Sequence, residues 1–344
     1  MTFRWYGSND PVTLENIRQI PGMSGIVSAV YDVPAGEIWS KDSITNIKSS
    51  AASNGLEFDV VESVPVHEDI KLGAAGANRL IDNYCENIKR LGAAGVKVVC
   101  YNFMPVFDWM RSDLKKLLPD GSNSLAYDNE EVKALDPVAG GLSLPGWDES
   151  YTKEGLRSLL SRYSGITEEK LWGNLGEFLS AVIPVCEKYD VKMAIHPDDP
   201  PWGIFGLPRI ITGAKSYERL YKICDSNYNG ITFCTGSLGA NPENNLVQML
   251  HRFGERVHFV HARNILYTGD HSFQESAHPT DCGSLDMYGI LKALQDIGFE
   301  GYIRPDHGRM IWGEKGRAGY GLFDRALGAT YLTGLWEGIA KTKV

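Results

Sequence analysis

The chain has 344 residues, 43% of them hydrophobic, 22% charged and 10% aromatic. These are the proportions of a globular protein and exclude a disordered, collagen-like or low-complexity chain. A formal charge of −9, with no run of Lys and Arg, argues against a nucleic-acid partner, because an acidic surface repels phosphates.

In chain order, short segments rich in β-branched and aromatic residues read as strands. The first four lie at 3–7 (FRWYG), 25–32 (GIVSAVYD), 58–65 (FDVVESVP) and 96–103 (VKVVCYNF). The second half contributes 191–198 (VKMAIHPD), 230–237 (GITFCTGS), 257–264 (VHFVHARN) and 302–309 (YIRPDHGR). Helical spacing of apolar residues predicts helices between them, over 41–53, 74–91, 174–189, 216–224, 242–253 and 285–297. Gly95 and Gly298 sit where helix C-caps end. Eight strands alternating with helices predict an α/β fold with a parallel sheet, and eight is the number that closes a (β/α)8 TIM barrel. A doubly wound open sheet is the competitor, weakened by the lack of GxGxxG after the first strand.

Such a barrel needs about 250 residues, leaving roughly 90 to explain. The largest share is an insertion at 107–168, between the fourth strand and its helix. An insertion of that length is expected to be a lid over the C-terminal rim or an oligomerisation arm. The whole chain, 1–344, is therefore read as a single barrel domain.

Four successive strands end in possible metal ligands: His196, Cys234, His261 and Asp306. In a barrel these ends converge on one rim, so two imidazoles, a thiolate and a carboxylate would meet around one cation. His258 and His261 are an odd number of residues apart and face opposite sides of their strand. His261, nearer the C-terminal end, is the expected ligand and His258 a structural residue. His271 and His278, in the loop after the seventh strand, are expected to be solvated. His307 follows Asp306 directly and is placed for proton transfer. Tyr320, flanked by glycines, reads equally as an acid or base and as packing. Arg4, Arg263, Asn264, Arg304 and Arg309 lie on or just beyond the strands, where cations suit a carboxylate-bearing substrate. No GxxxxGK[ST], GxSxG or HExxH is present, so phosphoryl transfer and serine hydrolysis have no support. No apolar run nears the ~20 residues of a membrane span. Six Cys without a CxxC pair suit reduced thiols in the cytoplasm.

The segments FRWYG, GIVSAVYDVPAGEIW, VVCYNFMPVFDWMR, AIHPDDPP, FCTGSLG, FVHARN and RPDHGR resemble the D-mannonate dehydratases of bacterial hexuronate catabolism, from Phe3 to the C-terminal helix. The resemblance implies a xylose-isomerase-like barrel that dehydrates D-mannonate to 2-dehydro-3-deoxy-D-gluconate. It also implies a divalent cation, Mn2+ or Fe2+, on His196, Cys234, His261 and Asp306, with His307 and Tyr320 as the acid/base pair. The thiolate keeps Zn2+ open, since soft sulfur suits Zn2+ or Fe2+ better than Mn2+. The expected partner is a small sugar acid, with no nucleic acid or membrane, in a homo-oligomer, a dimer being the simplest. The alternatives are a metal-dependent sugar isomerase or epimerase on the same barrel, a metal-dependent endonuclease, and a non-catalytic metal-binding barrel.

Overall fold

In the computed structural model, which describes residues 1–138 and 152–342, eight parallel strands form the predicted barrel. In chain order the strands are β1 (Thr2–Arg4), β2 (Gly25–Ser28), β3 (Glu57–Glu62), β4 (Val98–Tyr101), β5 (Asp113–Leu117), β6 (Asn123–Tyr127), β7 (Lys192–Ile195), β8 (Asn229–Cys234), β9 (Val257–Ala262), β10 (Ile265–Gly269), β11 (Ser272–Glu275) and β12 (Tyr302–Pro305). The barrel order is β1-β2-β3-β4-β7-β8-β9-β12. Thr2 Oγ1 donates to Ile303 O at 3.1 Å and links the first strand to the last. The open doubly wound sheet is thereby excluded.

Strand residues alternate between two burials, which is why these strands read as near-continuous apolar runs. Val27, Val60, Val98, Cys100, Ala194 and Phe259 cluster together inside the barrel. Their neighbours Ile26, Val61, Val99, Ile195 and Val260 belong to the larger core shared with the helices. Helices Lys41–Ser53, Ala77–Ala93, Glu168–Tyr189, Ala214–Ile223, Leu246–Phe253 and Met287–Asp296 fill the predicted places, within a few residues at their starts. Gly95 and Gly298 have φ of +86° and +66°, the left-handed conformation that ends a helix without a Cβ penalty.

The insertion contains β5, β6 and the helices Asn129–Ala134 and Lys153–Arg162; residues 139–151 of the expected insertion lie outside the described residues. β5 and β6 do not stand alone. They join β10 and β11, from the loop after β9, in an antiparallel sheet of order β10-β11-β6-β5, with Phe273 opposite Tyr127. One further expectation fails. His271 is exposed as expected, but His278 is buried. Its ring lies against the C-terminal helix Phe323–Thr342, where a Cβ on Gly328 would come within 2.4 Å of it.

Candidate active site

The barrel's period of two fixes which side chains reach the rim. Two residues beyond the inner positions Val60, Ala194 and Phe259 stand Glu62, His196 and His261. Register sets Cys234 and Arg304 beside His261, since both pair with it across β8–β9 and β9–β12. His258, one strand face away, points out of the barrel and its Nε2 meets Asn227 O at 2.9 Å.

The ligand atoms of His196, Cys234 and His261 lie within 4.8 Å of one another. Asp306 Oδ2 completes the group, 3.6 Å from Cys234 Sγ and 3.8 Å from His261 Nδ1. Each imidazole has one nitrogen committed behind the site. His196 Nδ1 is 2.6 Å from Pro197 O, which leaves Nε2 facing His261 Nδ1 at 3.1 Å. His261 Nε2 is 3.2 Å from Glu62 Oε2. A carboxylate or carbonyl behind each imidazole is the arrangement that orients histidines toward a metal. The donor set therefore fits a divalent cation, which His196 Nε2, Cys234 Sγ, His261 Nδ1 and Asp306 Oδ2 would hold.

Charge is balanced around these donors. Burial opposes ionisation of Cys234, yet the Arg263 guanidinium, with hydrogen bonds from His196 and His261, brings the thiol well below its ordinary range. Burial likewise opposes a charge on His196, but its hydrogen bond to Cys234, with Glu62 and Asp306 nearby, lifts it to about 9. Asp306 is held well below the carboxylate range against burial by Arg304, His307, His261 and Arg263. Arg304 Nη1 lies 2.7 Å from Asp306 Oδ1, and Arg263 Nε 2.9 Å from Oδ2. Glu62, gripped by Arg304 through two bonds of 2.9 and 3.0 Å, is also kept ionised.

His307 Nε2 is 3.0 Å from Tyr320 Oη. Gly319, at φ +77°, turns the chain into Tyr320; a Cβ there would come 2.5 Å from Leu125. Burial first, then the Asp306 charge, raises the phenol above its usual value. Trp109 of the insertion lies tilted against His307, ring centroids 4.7 Å apart and planes 45° to each other. Behind His307, Nδ1 lies 3.1 Å from Glu275 Oε1 on β11.

The rim opens into a cavity of about 440 Å³ lined by His196, Asp306, His307, Tyr320 and Trp109. Its cations are Arg4, Arg304 and Arg317. Arg317 lies 4.3 Å over the Tyr6 ring. The other expected substrate-binding residues are engaged elsewhere. Arg263 bonds Asp199 and Glu275. Asn264 accepts from the backbone of Ile265 and Leu285, and Arg309 bonds Asp324 and Asp120. Sequence reading missed Glu62, Trp109, Arg111, Asp199, Glu275 and Arg317. Glu62 was within reach of the alternation rule, as the last residue of FDVVE. Nothing local marks the others.

The fold and site define an eight-stranded parallel α/β barrel that gathers a possible metal-donor set and the His307–Tyr320 contact on one rim. Among solved structures, a D-tagatose 3-epimerase-like protein superposes with a TM-score of 0.57 at 14% identity over 100% of both chains. At that identity the likeness concerns the fold alone. Finer matches are specific. The D-mannonate dehydratase (UxuA) family profile matches residues 1–344. A mannonate dehydratase of Streptococcus uberis is 58% identical over 343 residues, covering 99% of each chain. One from Thermotoga petrophila is 57% identical over 355 aligned positions, covering 100% of this chain and 98% of the relative. The crystal structure of mannonate dehydratase from Streptococcus suis serotype 2 superposes with a TM-score of 0.93 at 49% identity, covering 100% of this chain and 95% of that one. The chain belongs to the D-mannonate dehydratase family, and its activity is that of a hydro-lyase.

Proposed function

We propose that this chain dehydrates D-mannonate to 2-dehydro-3-deoxy-D-gluconate, with His307 taking the C2 proton and Tyr320 protonating the departing C3 hydroxyl. The observation that carries the assignment is the 3.0 Å contact between His307 Nε2 and Tyr320 Oη beside the four metal donors. A proton α to a carboxylate is weakly acidic, and its removal puts further negative charge on that group. A divalent cation, which His196, Cys234, His261 and Asp306 would hold and for which Mn2+ or Fe2+ is our assignment with Zn2+ as the third candidate, would supply Lewis-acid stabilisation of that charge. Arg4, Arg304 and Arg317 add positive charge around the cavity; Arg263, Asn264 and Arg309 act on substrate indirectly, by holding the loops that carry the site.

His307 receives the C2 proton at Nε2 as the C2–C3 double bond forms and the C3–O bond breaks. Tyr320 gives its phenolic proton to the leaving hydroxide, producing water. The resulting enol tautomerises to the 2-keto acid. Imidazolium and phenolate are then in direct contact, and transfer from Nε2 to Oη restores the starting pair. Every proton is accounted for: the substrate loses one water and the enzyme is unchanged.

Residues 107–138, with Trp109 over His307, serve as a cover that keeps water from the site, within a single barrel domain. The six free thiols fit a cytoplasmic enzyme, and the family's small sugar-acid substrate needs no macromolecular partner beyond further copies of the chain in a homo-oligomer. Among the described residues no helix is long and apolar enough to cross a membrane.

The test is incubation of metal-reconstituted protein with D-mannonate, D-altronate and D-gluconate, read by mass spectrometry. Loss of one water from D-mannonate with appearance of the 2-keto-3-deoxy acid is expected. A product of unchanged mass would establish an isomerase or epimerase instead. His307→Ala and Tyr320→Phe should each retain metal and lose roughly a hundredfold or more in kcat.

A further inference from the structure

The acid/base pair is not held by the barrel alone. Glu275 sits on β11, outside the barrel, and is fully buried. Its Oε1 accepts from Arg111 Nη2 at 2.8 Å and from Arg263 Nη1, and lies 3.1 Å from His307 Nδ1. Both guanidinium groups are also bound to Asp199, Arg111 at 2.8 and 3.1 Å and Arg263 at 2.7 Å. Two carboxylates and two guanidinium groups thus alternate in a buried cluster, of which Asp199 borders the cavity. A charge-assisted network of this kind holds each member in a narrow range of positions. Glu275 has no route to the cavity and is absent from its lining. Of the residues lining the cavity, it contacts His307 directly.

An imidazole has two neutral tautomers, and the hydrogen bond at one nitrogen decides which nitrogen keeps a lone pair. We propose that Glu275 is a positioning residue for His307, fixing the Nδ1–H tautomer and reserving the Nε2 lone pair for the face shared with Tyr320. A carboxylate held by two cations can only accept, so the proton between Glu275 and His307 belongs to Nδ1. Tyr320 must then donate its O–H to Nε2 in the resting site. In the opposite tautomer Nε2 would carry hydrogen and could accept nothing from C2. Glu275 also places negative charge behind the imidazole at the moment it becomes positive. The inference rests on the reading of His307 as the base, and it adds a residue from a different part of the fold.

Two measurements test it. Nitrogen-15 NMR of histidine-labelled protein loaded with diamagnetic Zn2+, with the His307 signal assigned by its loss in His307→Ala, should show Nδ1 protonated and Nε2 unprotonated. A protonated Nε2 would overturn the proposal without any substitution at Glu275. In Glu275→Gln the amide oxygen can take the place of Oε1 toward both arginines and Nδ1, so the variant keeps an acceptor and removes the negative charge behind the imidazole. Its kcat should fall roughly ten- to a hundredfold, with KM and bound metal within about twofold of the parent. Glu275→Asp, which retains the charge, should recover part of the loss. Folded, metal-loaded Glu275→Gln with kcat within about threefold of the parent would overturn the role of Glu275. If His307→Ala itself kept full turnover, the failure would lie in the reading of His307, and the proposal would fall with it.

Discussion

Arg111→Met is the sharpest single perturbation of the ionic cluster behind His307. Arg111 is fully buried, with two bonds to Asp199, one to Glu275 and one to Met110 O at 2.7 Å. Methionine occupies most of the same volume but leaves Asp199 and Glu275 to share Arg263 alone. Breaking one partner out of a buried ionic network costs about 3–5 kcal/mol, because a charge is left uncompensated away from water. For 344 residues the entropy of unfolding is about 0.7 kcal/mol/K, so Tm should fall by about 4–7 °C in calorimetry.

The pH dependence has a defined sign. Burial raises Glu275, but Arg263, Arg111 and His307 outweigh it and hold the carboxyl down to about 2. A carboxyl depressed on folding stabilises the native state above the unfolded carboxylate range, and that contribution is lost as pH falls toward 2. Arg111→Met removes part of the depression, so the gap in stability between parent and variant should narrow below about pH 4. In the double variant Arg111→Met/Glu275→Gln one charge of each sign is gone, and its loss should be smaller than the sum of the two single losses by about 1–3 kcal/mol. A Tm within about 1 °C of the parent for Arg111→Met, or strictly additive losses, would refute the view that these four groups act as one unit.

Three other outcomes follow from the geometry. Cys234→Ser should keep the parent's circular dichroism but lose metal on dialysis, its affinity falling at least roughly tenfold; unchanged metal content by elemental analysis would contradict Cys234 as a donor. At the opposite end of the barrel, burial and the nearby Lys192 and Arg256 charges hold His258 down to about 4. A lowered histidine contributes stability above its unfolded value near 6.5 that is lost as pH falls toward 4. Denaturation free energies should therefore drop by about 2–3 kcal/mol more for the parent than for His258→Gln between pH 7 and 4.5, and equal slopes would rule this out. Arg317→Ala should raise KM for D-mannonate roughly tenfold with kcat within about twofold, and Arg317→Lys should restore most of it; an unaltered KM would remove Arg317 from substrate capture.

The part of the site that sequence reading reached is the part generated by a short-range rule. Within a strand, alternation decides which side chains point inward, and closure brings successive strand ends together. Residues such as His196, Cys234 and His261 therefore announce themselves by position. Glu62 obeys the same rule, standing two residues beyond Val60 at the end of β3. Glu275 and Arg111 obey no local rule. DLKKL, the sequence of β5, is charged and half exposed, with no apolar alternation to mark it as a strand. β6 and β11 pair although the barrel strands β7, β8 and β9 lie between them in the chain, so no local pattern announces the pairing. His278 reads as a loop histidine because nothing in SAHP reveals the small residue, Gly328, that leaves room for its ring.

The surplus length thus has a structural use that a simple cover would not require. A lid could exclude water with any apolar loop, and Trp109 against His307 meets that need. The insertion goes further, because residues two positions beyond Trp109 enter the ionic cluster. Arg111 from the insertion and Glu275 from the loop after β9 belong to the same antiparallel sheet region, and they meet at 2.8 Å behind the base. Asp199 and Arg263, from the ends of the barrel's own β7 and β9 segments, complete the cluster. Arg263 also reaches the metal donor Asp306 at 2.9 Å. One guanidinium therefore touches both Glu275, which faces His307 Nδ1, and Asp306. The barrel supplies the candidate donors and His307; the added sheet supplies the carboxylate behind that imidazole.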